Sequence, residues 1–331
     1  MHRVWLSVLV ALLTLLPSAG LLAQPGGLRE RIRERLQERQ PAAESAAPVR
    51  VLQPGDYRYG LNHGGLQRAY LVHVPRSYDP AQPMPVLLAL HGGGGHMELQ
   101  ADDERYGLIG KSERAGFIAV FPNGYSSLPR GRLATWNAGH CCGAARDRQI
   151  DDVGFIRAVI ADLPRHLNID AARVYAAGMS NGGMLAHRLA CEAADLLAGV
   201  AAVAGTDNTL SCAPARPIAV LQIHARDDDH VLFGGGAGPQ AFRDTSKVTD
   251  FTSVPETMAR WSRRNACAAA APVRVLERPG AYCERYPGCS GGAAVQLCVT
   301  ETGGHSWPGG GKQGASQALS ANDVMWDFFG R

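Results

Sequence analysis

Three side chains far apart in the sequence have the types that acyl transfer needs: a hydroxyl at Ser180, a carboxylate within Asp227-Asp228-Asp229, and an imidazole at His305. Ser180 sits in Gly178-Met179-Ser180-Asn181-Gly182, a G-x-S-x-G pattern. Such a serine occupies a sharp turn from strand to helix. Small neighbours avoid clashes there, and the helix N-terminus favours developing negative charge. The pattern recurs at Gly288-Cys289-Ser290-Gly291-Gly292. Context separates the copies: an apolar run at 173–177 precedes Ser180 and a helical pattern follows it, whereas Ser290 lies between a cysteine-rich loop and a strand. Ser180 is the expected nucleophile.

A serine hydroxyl attacks poorly until a base takes its proton, and the base must be oriented by an acid. With the serine on such a turn, the order along the chain is Ser, acid, His. The apolar run 218–223 leads straight into the three aspartates. Asp228 is taken as the acid, with Asp227 and Asp229 as alternatives that spacing does not separate. His305 follows the last strand pattern, and the glycines around it let its loop reach back over Ser180; it is the expected base. His230 stands too close to Asp228 in sequence for that part, and His91, His140 and His224 precede the acid and read as structural. After His91 comes the run Gly92–Gly95, where the Gly93 amide, with Gly92 as alternative, is expected to pair with the Asn181 amide as an oxyanion hole. A phosphate-binding reading fails, because neither G-x-G-x-x-G nor a Walker lysine is placed. Trp307 and Trp136, with Tyr125, lie in loops near the expected mouth, as substrate-stacking rings or as buried anchors. No CxxC and no His/Cys clustering at zinc spacing occurs, so neither a metal nor another cofactor is expected.

These loops need a scaffold. Candidate strands fall at 68–74, 85–90, 117–121, 173–177, 199–203, 218–223 and 295–300, several of them continuous apolar runs of the kind buried on both faces of a parallel sheet. Helical patterns lie between them at 152–163 and 183–197, and later at 258–264, behind the capping box Ser253–Glu256, and at 322–329. Asp151 and Asp152 read as caps of the first. The alternation implies a doubly wound α/β sheet. Among 331 residues, 46% hydrophobic and 19% charged suit a globular enzyme, and a net charge of +3 gives no pull toward nucleic acid.

Residues 1–23 have a short basic start, an apolar run and then Pro17 with small residues, the layout of a signal peptide cleaved after Gly20 or Ala23. Export, extracellular or periplasmic, is therefore expected, without lasting membrane association. Residues 24–54 contain a run of alternating Arg and Glu and read as a charged linker or pro-segment, leaving 55–331 as the catalytic domain. An oxidising destination makes disulfides of the eight cysteines. Expected pairs are Cys191–Cys212, Cys283–Cys289 and Cys267–Cys298, with Cys141–Cys142 joined to each other or each to another partner.

The segments LALHGGGG, PNGY, W…CC…DDVGF, RVYAAGMSNGGMLAHRLAC, DDDHVLF and GGHSWPGG occur in that order. Together they resemble the secreted poly(3-hydroxybutyrate) depolymerase and feruloyl esterase-like proteins of the α/β-hydrolase fold. The resemblance implies Ser180 as nucleophile, Asp228 as acid, His305 as base and the turn after His91 as oxyanion loop. It implies a serine esterase acting on hydroxyalkanoate or feruloyl-type esters, as small molecules or polymer. Competing readings are a peptidase or amidase with the same triad, and a non-catalytic binding protein on a hydrolase scaffold.

Overall fold

The computed structural model describes residues 53–241 and 249–330. The expected signal peptide and nearly all of the charged segment lie outside them. Ten strands form one sheet: β1 (Gly55–His63), β2 (Leu66–Val74), β3 (Met84–Leu90), β4 (Ile118–Pro122), β5 (Ile169–Met179), β6 (Gly199–Val203), β7 (Ala219–Ala225), β8 (Val273–Arg278), β9 (Ala281–Tyr286) and β10 (Val295–Thr300). Their spatial order is β1-β2-β4-β3-β5-β6-β7-β10-β9-β8. The six from β4 to β10 in that order run parallel, and antiparallel strands close both edges. The β1–β2 hairpin turns through Gly64 and Gly65, both at positive φ (57° and 76°), which a tight two-residue hairpin requires.

Among the described residues there are eight α-helices: α1 (Met97–Gln100), α2 (Asp103–Tyr106), α3 (Leu108–Ala115), α4 (Gly143–Asp147), α5 (Asp152–Asp162), α6 (Asn181–Glu192), α7 (Val254–Arg264) and, after the last strand, α8 (Ala321–Phe329). Apolar residues of α5, α6 and α7 cover one face of the sheet, with Val86, Leu88 and Leu90 beneath them. Residues from α1, α3 and α8 cover the other, over Leu87 and Ala89. Strand β3 is thus buried on both sides, which is why it carries no polar alternation. No helix among the described residues is long and apolar enough to cross a membrane.

Asp151 caps α5 by accepting the Gly154 amide, as expected. Asp152 does something else. Fully buried, it takes Arg68 Nη2 at 2.7 Å and the Asn137 amide at 2.8 Å, while the guanidinium lies 3.9 Å from the centre of the Phe155 ring. The pair ties β2 to the loop that carries Trp136. Arg68→Met leaves a buried carboxylate without its cation and should cost about 3–5 kcal/mol of stability. Denaturant unfolding of the variant measures this, and a loss below 1 kcal/mol would contradict it.

Cys191 pairs with Cys212 as expected, and Cys141 with Cys142. Two expected pairs are exchanged: Cys283 joins Cys298, and Cys267 joins Cys289. Strand register is the reason. Antiparallel β9 and β10 set Cys283 opposite Cys298, and the Ala268 amide, bonded to the Pro287 carbonyl at 2.9 Å, brings the end of α7 to the loop of Cys289.

Candidate active site

Strand β5 runs through the centre of the sheet and ends at Met179; the next residue, Ser180, has φ 55° and ψ −121°. That backbone conformation is strained for a residue with a side chain, and its neighbours hold it. The Ser180 amide bonds the Val203 carbonyl at 2.8 Å, and the Ser180 carbonyl takes the Met184 amide at 2.9 Å. Two glycines make the turn sterically possible. A Cβ on Gly178 would collide with the Gly182 backbone, and one on Gly182 with the carbonyls of Leu90 and His91. Gly182→Ala must therefore separate β3 from α6 and should cost about 3 kcal/mol or more. A thermal melt of the variant tests this, since an unchanged midpoint would mean that the elbow tolerates the methyl group.

The expected acid and base approach from two other loops. Asp228 follows β7 and is buried, with Oδ1 accepting the amides of His230 and Val231, both at 2.9 Å. Its Oδ2 lies 2.9 Å from His305 Nδ1. Burial opposes a charge on Asp228, but hydrogen bonds from His224 and His305 outweigh it and hold the carboxyl well below the usual carboxylate range. His305 rides the loop after β10, which Asp227 clasps by accepting the amides of Gly303 (3.3 Å) and Gly304 (2.8 Å). Burial keeps the His305 pKa below its ordinary value, although the Asp228 carboxylate pulls it upward. With Nδ1 directed at Asp228, Nε2 is left for a reacting proton. Ser180 and His305 line one cavity of about 310 Å³. Among the described residues the Ser180 hydroxyl carries no hydrogen bond, and a nucleophile–base contact of this kind often closes only with substrate bound.

Glycine amides complete the cavity wall. Those of Gly94 and Gly95 are bonded to Ala134 and Gly92 carbonyls at 2.8 and 3.0 Å, whereas the Gly93 amide meets no acceptor among the described residues. A Cβ on Gly93 would sit 3.5 Å from the Asn181 Cβ, so these two backbones are adjacent beside Ser180. Asn181 is fixed by a two-way bond to Trp136, its Oδ1 accepting the Trp136 amide (2.7 Å) and its Nδ2 donating to the Trp136 carbonyl (3.0 Å). His91 braces the loop from below. Burial depresses its pKa to about 4, so it stays neutral. It accepts the Gly124 amide through Nε2 at 2.9 Å, and its Nδ1 donates to the Gly92 carbonyl at 2.8 Å.

The aromatic candidates separate. Trp307 lines the cavity but is only 3% exposed, its indole N–H held by Asn322 Oδ1 at 3.0 Å. Trp136 does not line it: the ring is fully buried, donating to the His91 carbonyl at 2.9 Å, and it anchors the loop instead of offering a stacking face. Tyr125 is also buried away from the cavity, its hydroxyl taking Arg148 Nη1 at 2.6 Å. Ser290 is exposed, and a Cβ on the adjacent Gly291 would lie 3.6 Å from Pro217, before the start of β7, whereas Asp228 follows that strand's other end. His230 lines the cavity, with its ring stacked on that of His305 (centroids 4.4 Å apart, planes at 14°). Asp228, His230 and His305 have donor atoms within 4.8 Å of one another, the spacing that would suit a metal ion. Hydrogen bonds from the His305 and His224 imidazoles and from the backbone amides of His230 and Val231 already occupy the Asp228 oxygens.

Sequence reasoning missed a buried chain behind Asp228. Trp261 Nε1, which can only donate, bonds His187 Nδ1 at 2.9 Å, and His187 Nε2 then donates to Gln222 Oε1 at 2.9 Å. Gln222 Nε2 donates to His224 Nδ1 at 3.1 Å, leaving His224 Nε2 to donate to the Val231 carbonyl (2.8 Å) and toward Asp228 Oδ2 (3.3 Å). One donor-only group thus sets the direction of every bond in the chain. Its sequence signal was Gln222 and His224, two polar residues on one face of an otherwise apolar strand.

The family described as "Esterase PHB depolymerase" matches residues 69–238. Feruloyl esterase B of Piromyces equi is 29% identical over 79% of this chain, which spans 44% of that protein. Feruloyl esterase C of Emericella nidulans is 26% identical, covering 79% of this chain and 83% of its own length. Among solved structures, an acetyl xylan esterase from Aspergillus awamori superposes with a TM-score of 0.56 at 14% identity, covering 83% of this chain and 99% of the other, and shows a shared α/β-hydrolase fold.

Proposed function

The chain belongs to the esterase PHB depolymerase family, and on that premise we propose that it is a secreted serine hydrolase cleaving carboxylic esters through an acyl-enzyme on Ser180. The observation that carries the reading is one cavity lined by Ser180, on its strained turn, and by His305, whose Nδ1 is held by buried Asp228. His305 Nε2 takes the Ser180 proton as Oγ adds to the ester carbonyl carbon. The Gly93 and Asn181 amides receive the oxyanion, and Asp228 stabilises the imidazolium. His305 then gives its proton to the leaving alcohol. Water repeats the sequence: its hydroxyl adds to the acyl carbon, its proton passes through His305 back to Ser180, and the carboxylic acid leaves. The substrates supported best are hydroxyalkanoate oligomers and feruloyl-type esters, both chemistries found in the names of the family and its relatives. A signal peptide at 1–23 and disulfides among all eight cysteines support export.

Purified enzyme offered methyl ferulate, nitrophenyl butyrate, hydroxybutyrate trimer and polymer film should release acid from at least one soluble ester. A protein inert to all four contradicts the proposal. The pH dependence has a definite sign. His305 works as the neutral base, and its pKa is depressed, so kcat/KM should hold down to pH values below the ordinary histidine pKa of about 6.5 and fall as pH drops through the His305 pKa. A pH–rate profile with its acid limb centred above that value would contradict this.

A further inference from the structure

The cavity has a sign. Among the described residues no aspartate or glutamate lines it, whereas Arg105, Lys312 and the imidazoles of His230 and His305 do. The whole chain carries only +3, and just three of its 33 basic residues are lysines, so cations here are not a by-product of a basic protein. Both stand on the His305 side of the cavity. Lys312 Nζ donates to the His305 carbonyl at 2.8 Å, and the Gly311 amide beside it bonds the Arg105 carbonyl at 3.1 Å. Three acids share the turn of Arg105: Asp102, whose Oδ1 takes the Arg105 amide (3.3 Å), Asp103, whose Oδ1 takes the Gly110 amide (2.9 Å), and the exposed Glu104. No carboxylate among the described residues forms an ion pair with Arg105 or Lys312.

In the reaction proposed above, on which this inference rests, His305 hands its proton to the leaving alcohol, so the alcohol part of the ester lies on the His305 side. We propose that the site selects esters whose alcohol part carries a carboxylate a few bonds from the scissile oxygen, with Arg105 and Lys312 as its counter-charges. The free-acid end of a 3-hydroxyalkanoate oligomer has that chemistry; a methyl ester does not. Hydrolysis of such a substrate takes up one water and yields the acyl acid and a hydroxy acid.

The test compares 3-(butanoyloxy)butanoate with 3-(butanoyloxy)butanamide, which share the scissile bond and differ in the charge. At low ionic strength the wild-type kcat/KM should favour the carboxylate about tenfold, and added salt should erode the ratio. In the double variant Arg105→Gln/Lys312→Gln the ratio should fall to near one, whereas Lys312→Arg, which keeps the charge, should retain most of it. A wild-type ratio of one or less, or a ratio unchanged in the double variant, overturns the proposal. So does refusal of both esters by an enzyme that hydrolyses nitrophenyl butyrate. If nitrophenyl butyrate, methyl ferulate, hydroxybutyrate trimer and polymer film are refused as well, the esterase reading itself has failed.

Discussion

Ser180→Ala should lower ester hydrolysis by about 10⁴-fold or more while leaving the protein folded. In the proposed mechanism the hydroxyl oxygen forms and breaks the acyl bond, and members of such a relay fail together, so no neighbour can replace it. Folding should survive because the turn is held by the backbone bonds of residue 180 to Val203 and Met184 and by the close packing of Gly178 and Gly182, none of which uses the hydroxyl. Nitrophenyl butyrate turnover and a thermal melt together decide the matter. Residual activity within tenfold of wild type would place the nucleophile elsewhere.

The second large effect separates the three aspartates. Asp228→Asn should reduce kcat by about 10⁴-fold, since an amide opposite His305 Nδ1 can present its NH₂ and favour the wrong tautomer, and it no longer balances the imidazolium. The remaining amide oxygen can still accept the backbone N–H groups of His230 and Val231, so the loop should keep its shape. Asp227 and Asp229 act at one remove. Asp227 holds the Gly303 and Gly304 amides, and Asp229 Oδ1 lies 2.7 Å from His230 Nδ1. Loss of one such bond is worth about 1 kcal/mol, so Asp227→Asn and Asp229→Asn should stay within about tenfold of wild type. Parallel kinetics on the three variants make the comparison, and a ranking led by 227 or 229 would assign the acid differently.

The seven sequence-derived strands correspond to β2–β7 and β10, whose covered stretches are mostly apolar, with buried Gln222 and His224 on β7 among the exceptions. Three were not legible. β1 and β8 are the edge strands and β9 lies just inside β8, all three of mixed character; β8 reads Val-Arg-Val-Leu-Glu-Arg and is largely exposed. Helices α1 and α2 have four residues each, too few to show a period. The expected nucleophile, acid and base are brought to one end of the sheet because each terminates or follows a parallel strand, a position that sequence can mark. Trp136 was not legible in the same way: a loop tryptophan beside a site reads alike whether it faces substrate or, as here, points its N–H at the His91 carbonyl. Cysteine pairing depended on the β9–β10 register, which loop length does not reveal.

Acylation at Ser180 is most directly tested by treating the wild-type protein with a fluorophosphonate and mapping the adduct by peptide mass spectrometry. One equivalent on the peptide that contains Ser180, lost in Ser180→Ala together with ester turnover, is the predicted result. Continued ester turnover by protein that takes no label there, or label found on Ser290 instead, would contradict it.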